Sequence, residues 1–540
     1  MQRLIFVFAL IISFISNAQD IKRPKLVVGL VVDQMRWDFL YRYYNRYAVN
    51  GGFKRLLNQG FSFENTLIPY TPTVTACGHS SIYTGSVPAI SGITGNFWWD
   101  NEQNREVYCT EDKSVKTVGS TSSWGQMSPR NLLVTSICDE LRLATNFRSK
   151  VIGIALKDRG GILTGGHSAN AAYWYDNTTG DWITSTYYMN DLPKWVKDFN
   201  TQKLVDKYYQ QGWKSLYPID TYVQSAEDIN SYEAKPFGAA AKNFPYDLKS
   251  MVGKNYGAIL ITPYGNTLTA EFAREAIINE QLGADDITDF LAISFSSPDY
   301  IGHSFGPNSV EQEDDYLRLD KELGNLLDFL DTRVGKDQYL VFLSADHGVS
   351  HVPGFLKEHN IPAGNSDLLA QVGIMNSLLK EKFNVDKLVV STDNAQIYLN
   401  HHLIDSVQLD KKEIVNWVIS YLSNKPGIAR VFAIEKIMET TLNNKQKDML
   451  NNGYYPLRSG DIQVILLPQY IEGFAGGGTN HGLWNPYDAH IPLLWFGWGI
   501  KHGKSYREIY MTDIAPTLAS LLHIQMPSGC IGHVLEDVMK

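Results

Sequence analysis

Five runs of almost unbroken apolar residues constrain this chain more than any other feature: Lys25–Val32 (KLVVGLVV), Lys150–Leu156 (KVIGIAL), Phe290–Phe295 (FLAISF), Tyr339–Leu343 (YLVFL) and Ile491–Phe496 (IPLLWF). A strand with one wet face alternates apolar and polar side chains. A run without that alternation needs cover on both faces, as in a parallel sheet packed between helices. Helical patterns fall between the runs at Phe53–Asn58, Asn131–Thr145 and Ser309–Thr332, the last with Leu317, Leu319, Leu323, Leu326, Leu327 and Leu330 on a roughly helical period. At the C-terminal end, Met511–Leu522 has Thr512 or Asp513 as its N-cap and Pro516 in its first turn. The expected fold is α/β, a mostly parallel sheet flanked by helices.

Two segments read differently. Residues 165–285 are rich in Tyr, Trp, Asn and Gly, with an Asn177-Thr178-Thr179-Gly180 turn between alternating strands Ala172–Asp176 and Asp181–Tyr187. Residues 355–475 carry strands Lys387–Ser391, Gln396–Leu399 and Ala429–Ile434, a helix Lys411–Leu422 and a Pro426-Gly427 break. Both are expected to be insertions that build a cap over one catalytic unit spanning residues 19–540. With 44% hydrophobic and 19% charged residues in 540, the chain can bury a large core and is not a disordered one. Its 48 basic and 57 acidic side chains give a formal −9, which disfavours binding to a nucleic-acid duplex.

Residues 1–18 form a basic start at Arg3, an apolar stretch Leu4–Ile15 and Ser16-Asn17-Ala18, the pattern of a secretory signal cleaved after Ala18. The mature chain is therefore expected in the periplasm or outside the cell. No apolar run reaches the ~18–20 residues of a membrane span. Cys77, Cys109, Cys138 and Cys530 neither set up a disulfide framework nor match a zinc-binding spacing, and their pairing stays open.

Three buried runs end in carboxylates: LVVD at Asp33, SFSSPD at Asp299 and FLSAD at Asp346. Ligands collect at the carboxyl ends of parallel strands. One such Asp is an ordinary turn residue, but each of these has chemical company. Asp299 and His303 are i,i+4 in DYIGH; His347 and Gly348 follow Asp346; His481 lies in Asn480-His481-Gly482, after three glycines. Three Asp and three His are ligands enough for two metals, each with an open position. Oxygen and nitrogen donors without thiolate favour zinc, ahead of manganese or iron. His79, His167, His401, His402 and His490 are expected to be structural or on the surface. Thr75, in PTVTACGHS, stands where a loop enters a helix, a place that favours anions. A metal beside it would make its hydroxyl a nucleophile.

Taken together the segments VGLVVDQMRWD, PTVTACGHSSIYTGSVP, GITGN, ALKDR, DYIGHSFGPNS, FLSADHG, NHGLWNPYDAHIPLLWFGWG and MTDIAPTLASLL resemble the alkaline phosphatase superfamily, and within it the single-domain monoesterases of the PafA type with a threonine nucleophile. The resemblance implies that Thr75 forms a covalent phosphothreonine. It implies that Asp299, His303 and His481 hold one zinc, and that Asp33, Asp346 and His347 hold the other, which also takes Thr75. Asn96, Lys157 and Arg159 match the groups that hold phosphoryl oxygens. Two Zn2+ per chain are expected. Some members carry a third ion, Mg2+; no ligand set for it is found, so none is expected.

The implied reaction is hydrolysis of a broad range of small phosphate monoesters by a monomer. A monoester dianion carries two charges and a diester one, so Lys157 and Arg159 favour the monoester. The nearest alternative is a phosphodiesterase or nucleotide pyrophosphatase on the same scaffold. A sulfatase is disfavoured because Cys77-Gly78-His79-Ser80-Ser81 lacks the C-x-P-x-R arrangement. A phosphoglycerate mutase is disfavoured by export. A non-catalytic periplasmic binding protein, using Phe97, Trp98 and Trp99 to stack sugars, is disfavoured because ligands and nucleophile are all present.

Overall fold

The computed structural model describes residues 22–239, 241, 243–473 and 477–540, so the signal-peptide assignment lies outside the described residues. Eight strands make the body of the central sheet: β1 (Leu26–Val32), β2 (Phe61–Leu67), β3 (Val151–Ala155), β4 (Ala171–Asp176), β5 (Asp181–Ser185), β6 (Asp289–Phe295), β7 (Tyr339–Ser344) and β8 (His490–Gly497). Their spatial order is β2-β8-β7-β1-β6-β3-β4-β5, and three short edge strands complete 11 among the described residues. The five neighbours β7-β1-β6-β3-β4 run parallel. β1 is buried at every position, as its unbroken apolar sequence requires.

One expected parallel strand is not parallel. β8, the IPLLWF run, pairs antiparallel with both β7 and β2. Its apolar continuity reports burial on two faces, and burial carries no information about direction.

Residues 165–285 pack onto the central sheet. β4 and β5 prolong the central sheet, and Trp182 stacks on Phe272 at 4.2 Å between centroids. Tyr173, Trp182, Tyr209, Trp213 and Phe272 all join the main core. The aromatic alternation suggested a hairpin with one wet face, but β4 is buried on both. Residues 355–475 behave otherwise. Val389–Ser391, Gln396–Leu399, Ile462–Leu466 and Ile428–Ala433 form, in that order, an antiparallel sheet. With the helix Lys411–Leu422 it closes a core of its own around Ile397, Ile414, Val418, Leu422 and Val464.

The helices that matter to the site are α1 (Thr75–Thr84), α2 (Ile137–Ala144), α3 (Asp158–Gly165), α4 (Tyr264–Asn279), α5 (Ser297–Phe305) and α6 (Val310–Leu330). α2 starts six residues later than the pattern suggested, because Ser136 and Asp139 form a reciprocal capping box that fixes its first turn. α6 starts where expected, with the Ser309 hydroxyl accepting the Gln312 N–H.

α3 sits close on β3 because a Cβ at Gly153 would overlap the carbonyl of Gly161. That contact fixes the turn carrying Lys157 and Arg159. Gly153→Ala is therefore expected to cost about 1–3 kcal/mol, the usual range for overpacking. A lower urea midpoint at unchanged m-value would register it; an unchanged midpoint would show that α3 is free to shift.

Candidate active site

The order β7-β1-β6-β3 sets four chain segments side by side at the carboxyl ends of these central strands. Asp346 follows β7, Asp33 follows β1, Asp299 follows β6 on the first turn of α5, and Lys157 follows β3. All four side chains are buried. His347 Nε2 lies 3.4 Å from Asp346 Oδ2 and 3.6 Å from Asp33 Oδ1. Asp299 Oδ1 lies 3.2 Å from His303 Nε2 and 3.7 Å from His481 Nε2. Donors held 2.0–2.1 Å from one tetrahedral ion sit about 3.3 Å from each other, so these spacings suit a shared cation.

The imidazoles are oriented for it. His303 Nδ1 faces the carbonyl of Thr479 at 2.8 Å, His347 Nδ1 that of Gly348 at 2.9 Å, and His481 Nδ1 that of Thr73 at 2.7 Å. A carbonyl only accepts, so each Nδ1 carries a proton, and in neutral His347 and His481 the Nε2 is left with a lone pair turned to the carboxylates. Burial lowers the pKa of both His347 and His481, which keeps them neutral. In His303 burial acts the same way, but the Asp299 carboxylate outweighs it and raises the pKa.

Lone pairs thus face lone pairs. Asp33 Oδ1 and Asp346 Oδ2 are buried and accept no hydrogen bond. Burial, reinforced by the Asp346 charge, pushes Asp33 well above the usual carboxylate range. In Asp346 burial is outweighed by His347 and His79, and in Asp299 by His303 and Lys157; both are held low. A set of this chemistry, oxygen and nitrogen only, fits divalent cations.

The sets meet at His347. Asp33, Asp346 and His347 converge as expected, whereas Asp299 and His481 converge with His347 as well as approaching His303. The rings of His347 and His481 stack at 3.6 Å between centroids.

Thr75 is the first residue of α1, with Val74 extended as its N-cap. Its Oγ1 lies 3.5 Å from His347 Nε2 and 3.5 Å from Lys157 Nζ. The Lys157 ammonium bridges the two sets, 2.7 Å from Asp33 Oδ2 and 2.6 Å from Asp299 Oδ2, over the ring of Tyr300. Asn96 Oδ1 accepts the N–H of Ala76 at 2.9 Å, which turns its amide nitrogen away from the helix. Arg159 is not drawn into the cluster: its Nη1 donates to the Tyr108 hydroxyl at 3.0 Å, in a neighbouring cavity whose wall it shares with Lys157. His79 stands beside the cluster, its Nδ1 2.9 Å from the Thr75 carbonyl and 3.3 Å from Asp346 Oδ2 and its Nε2 on Ser294, whereas His167 is anchored to Val134, His490 to Glu64, His401 to Asp461 and His402 to Asn101.

Gln34 escaped the sequence reading. It holds a left-handed backbone, φ 67°, and is fully buried. Its N–H donates to Asp346 Oδ1 at 3.0 Å and its Nε2 to Asp299 Oδ1 at 2.7 Å, so one residue braces a carboxylate from each set. Room for it exists only because residue 302 is glycine; a Cβ there would overlap Gln34 Oε1. Gly78 serves α1 likewise, since a Cβ there would overlap the Asp346 carbonyl. Nothing in a lone Gln after Asp33 signals such a role.

The family model "Type I phosphodiesterase / nucleotide pyrophosphatase" matches residues 27–480. The chain is 54% identical to "Alkaline phosphatase PhoV" of Synechococcus elongatus over 97% of this chain and 94% of that protein. It is 53% identical to a Myroides odoratus protein named "Calcium-transporting ATPase", over 99% and 97%. It is 48% identical to "Alkaline phosphatase PafA" of Elizabethkingia meningoseptica over 98% of each. The crystal structure of wild-type PafA superposes with a TM-score of 0.94, covering 97% of this chain and all of that one. Among the described residues no helix is long and apolar enough to cross a membrane.

Gln34→Ala is expected to weaken retention of divalent cations roughly 10–100-fold, the usual effect of removing a residue that orients metal ligands. Chelator competition followed by metal analysis measures it; retention equal to the parent would deny Gln34 that role.

Proposed function

This chain belongs to the type I phosphodiesterase / nucleotide pyrophosphatase family, and from that premise we infer that it is a hydrolase of phosphate monoesters, an alkaline phosphatase using two zinc ions and a phosphothreonine. The observation that carries the reading is the gathering of five Asp and His donors, with His303 beside Asp299, Lys157 and the Thr75 hydroxyl, at the carboxyl ends of the central strands. Asp33, Asp346 and His347 would hold one ion; Asp299, His303 and His481 would hold the other. Bound there, two cations supply charge that opposes the entering and leaving oxygens and lowers the pKa of a nearby hydroxyl.

The chain's own groups do the rest. Thr75 Oγ1, its proton lost to solvent, attacks phosphorus; the ester P–O bond breaks and the alkoxide leaves, taking a proton from solvent to become the alcohol. Water then attacks the phosphothreonine, and phosphate departs with Thr75 restored. Lys157 exchanges its carboxylate contacts for a phosphoryl oxygen as the dianion enters. Asn96 donates from its amide nitrogen to another. Arg159 swings from Tyr108 to grip two oxygens at once. Lys157 and Arg159 add two positive charges, matching a monoester dianion better than a diester monoanion, which is why the diesterase activity of the family's description is the second reading.

Oxygen and nitrogen donors without thiolate favour zinc over manganese or iron. The chain acts as a monomer outside the cytoplasm, after removal of residues 1–18. Residues 355–475, which contribute Leu466, Tyr470 and Glu472 to a cavity at the site, set which alcohols fit.

Thr75→Ala is expected to lower turnover of p-nitrophenyl phosphate by at least about 10^3-fold with metal content unchanged. Retained turnover with metals bound would refute the nucleophile. Chelation should abolish activity and added zinc restore it. Lys157→Ala should cost roughly 10^2–10^3-fold on a monoester, as for loss of one donor to a developing charge. It should cost clearly less on bis-p-nitrophenyl phosphate; equal losses would favour the diesterase reading.

A further inference from the structure

A cavity of about 350 Å3 beside the site is lined by Asn96, His303 and His481 together with Tyr470, Glu472 and Tyr487. The neighbours of Thr75 Oγ1 are His347 and Lys157, and neither lines it. In phosphoryl transfer the entering and leaving oxygens lie roughly in line across phosphorus. With Thr75 entering on the His347 side, the alcohol departs on the side of His303 and His481, and its substituent extends into this cavity. The step rests on the reaction assigned above.

Glu472 ends the short strand Tyr470–Glu472, which pairs in parallel with Gly364–Ser366. Asn480 locks it to the site: the Asn480 amide donates to the Glu472 carbonyl at 3.0 Å, and its Oδ1 accepts the N–H of His481 at 2.9 Å. Among the described residues, nothing donates to the Glu472 carboxyl and no basic side chain pairs with it. Burial, with Asp393 and Asp367 nearby, pushes the carboxyl up to about 8. A half-buried carboxyl in acidic company, lining a cavity with no basic side chain beside it, is suited to receive a cation. An incoming ammonium would supply one and favour its ionised form, and tyrosine rings attract cations in addition.

We propose that Glu472 selects the leaving group, favouring phosphate monoesters of amino alcohols, whose ammonium it holds beside Tyr470 and Tyr487. The same carboxyl disfavours leaving groups that carry a carboxylate.

The test compares phosphocholine with its uncharged isostere 3,3-dimethylbutyl phosphate and with 2-phosphoglycolate, in the zinc-loaded full chain. The parent is expected to favour phosphocholine over the isostere about tenfold in kcat/KM, the scale of one charge contact reinforced by cation–π attraction. Glu472→Gln should bring that ratio close to one, and Glu472→Lys should raise phosphoglycolate relative to phosphocholine. A parent ratio near one, or a ratio that neither variant moves, overturns the proposal. If the parent hydrolyses p-nitrophenyl phosphate but shows no preference, this inference fails alone. If it hydrolyses none of these esters, the phosphatase reading fails with it.

Discussion

Everything at the site depends on how three buried carboxylates tolerate one another. Asp33, Asp299 and Asp346 emerge from adjacent parallel strands and are sealed from water. Burying one ionised carboxylate without a partner is costly, and burying several together is costlier. The protein answers with one fixed cation, the Lys157 ammonium between Asp33 and Asp299, and with imidazoles whose lone pairs add no positive charge. One ammonium balances one of three carboxylates. The remaining deficit is what makes the cluster a cation trap, and the unpartnered Asp33 Oδ1 and Asp346 Oδ2 mark where it is felt.

Lys157 then has two occupations. Between carboxylates it stabilises the folded protein; in the proposed reaction the same ammonium stabilises a phosphoryl dianion. The two states exchange at modest cost only if carboxylates and phosphate compete for the same ammonium, so cations that satisfy Asp33 and Asp299 release Lys157 toward substrate. Arg159 has the same character, its guanidinium resting on Tyr108 within the cavity wall it shares with Lys157. Rigidity elsewhere permits this exchange. Gly78 lets α1 press against the backbone of Asp346, and Gly153 lets α3 press against β3, so Thr75 and Lys157 are set by contacts between main chains.

The strand ends were legible because burial on both faces writes itself as unbroken hydrophobicity, and a charged residue closing such a run has few reasons to be there. That pattern exposed Asp33, Asp299 and Asp346, and the i,i+4 spacing exposed His303. It did not give the direction of β8, since a buried strand reads the same either way. Nor did it give the place of residues 165–285, because Trp182 and Phe272 pack into the core from a segment whose polarity resembles a surface hairpin. Gln34 was invisible for a different reason: its function lies in a backbone angle and two hydrogen bonds to residues 265 and 312 positions away. Local composition carries no trace of such geometry.

Glu472 shows how specificity arises on this scaffold. The groups assigned to the reaction come from strand ends and helix starts of the central sheet, where position is over-determined by packing. Glu472 comes instead from the segment with its own small core, joined to the site through Asn480. In the proposed selection, a carboxyl on that second unit changes which alcohol departs while leaving the ion pairs of Lys157 with Asp33 and Asp299 as they are, because Glu472 lines the cavity and takes no part in those pairs. The division separates two demands that conflict electrostatically: a surplus of negative charge to gather cations, and a tunable charge to read the leaving group. Placing them on different cores lets the second vary while the first stays fixed.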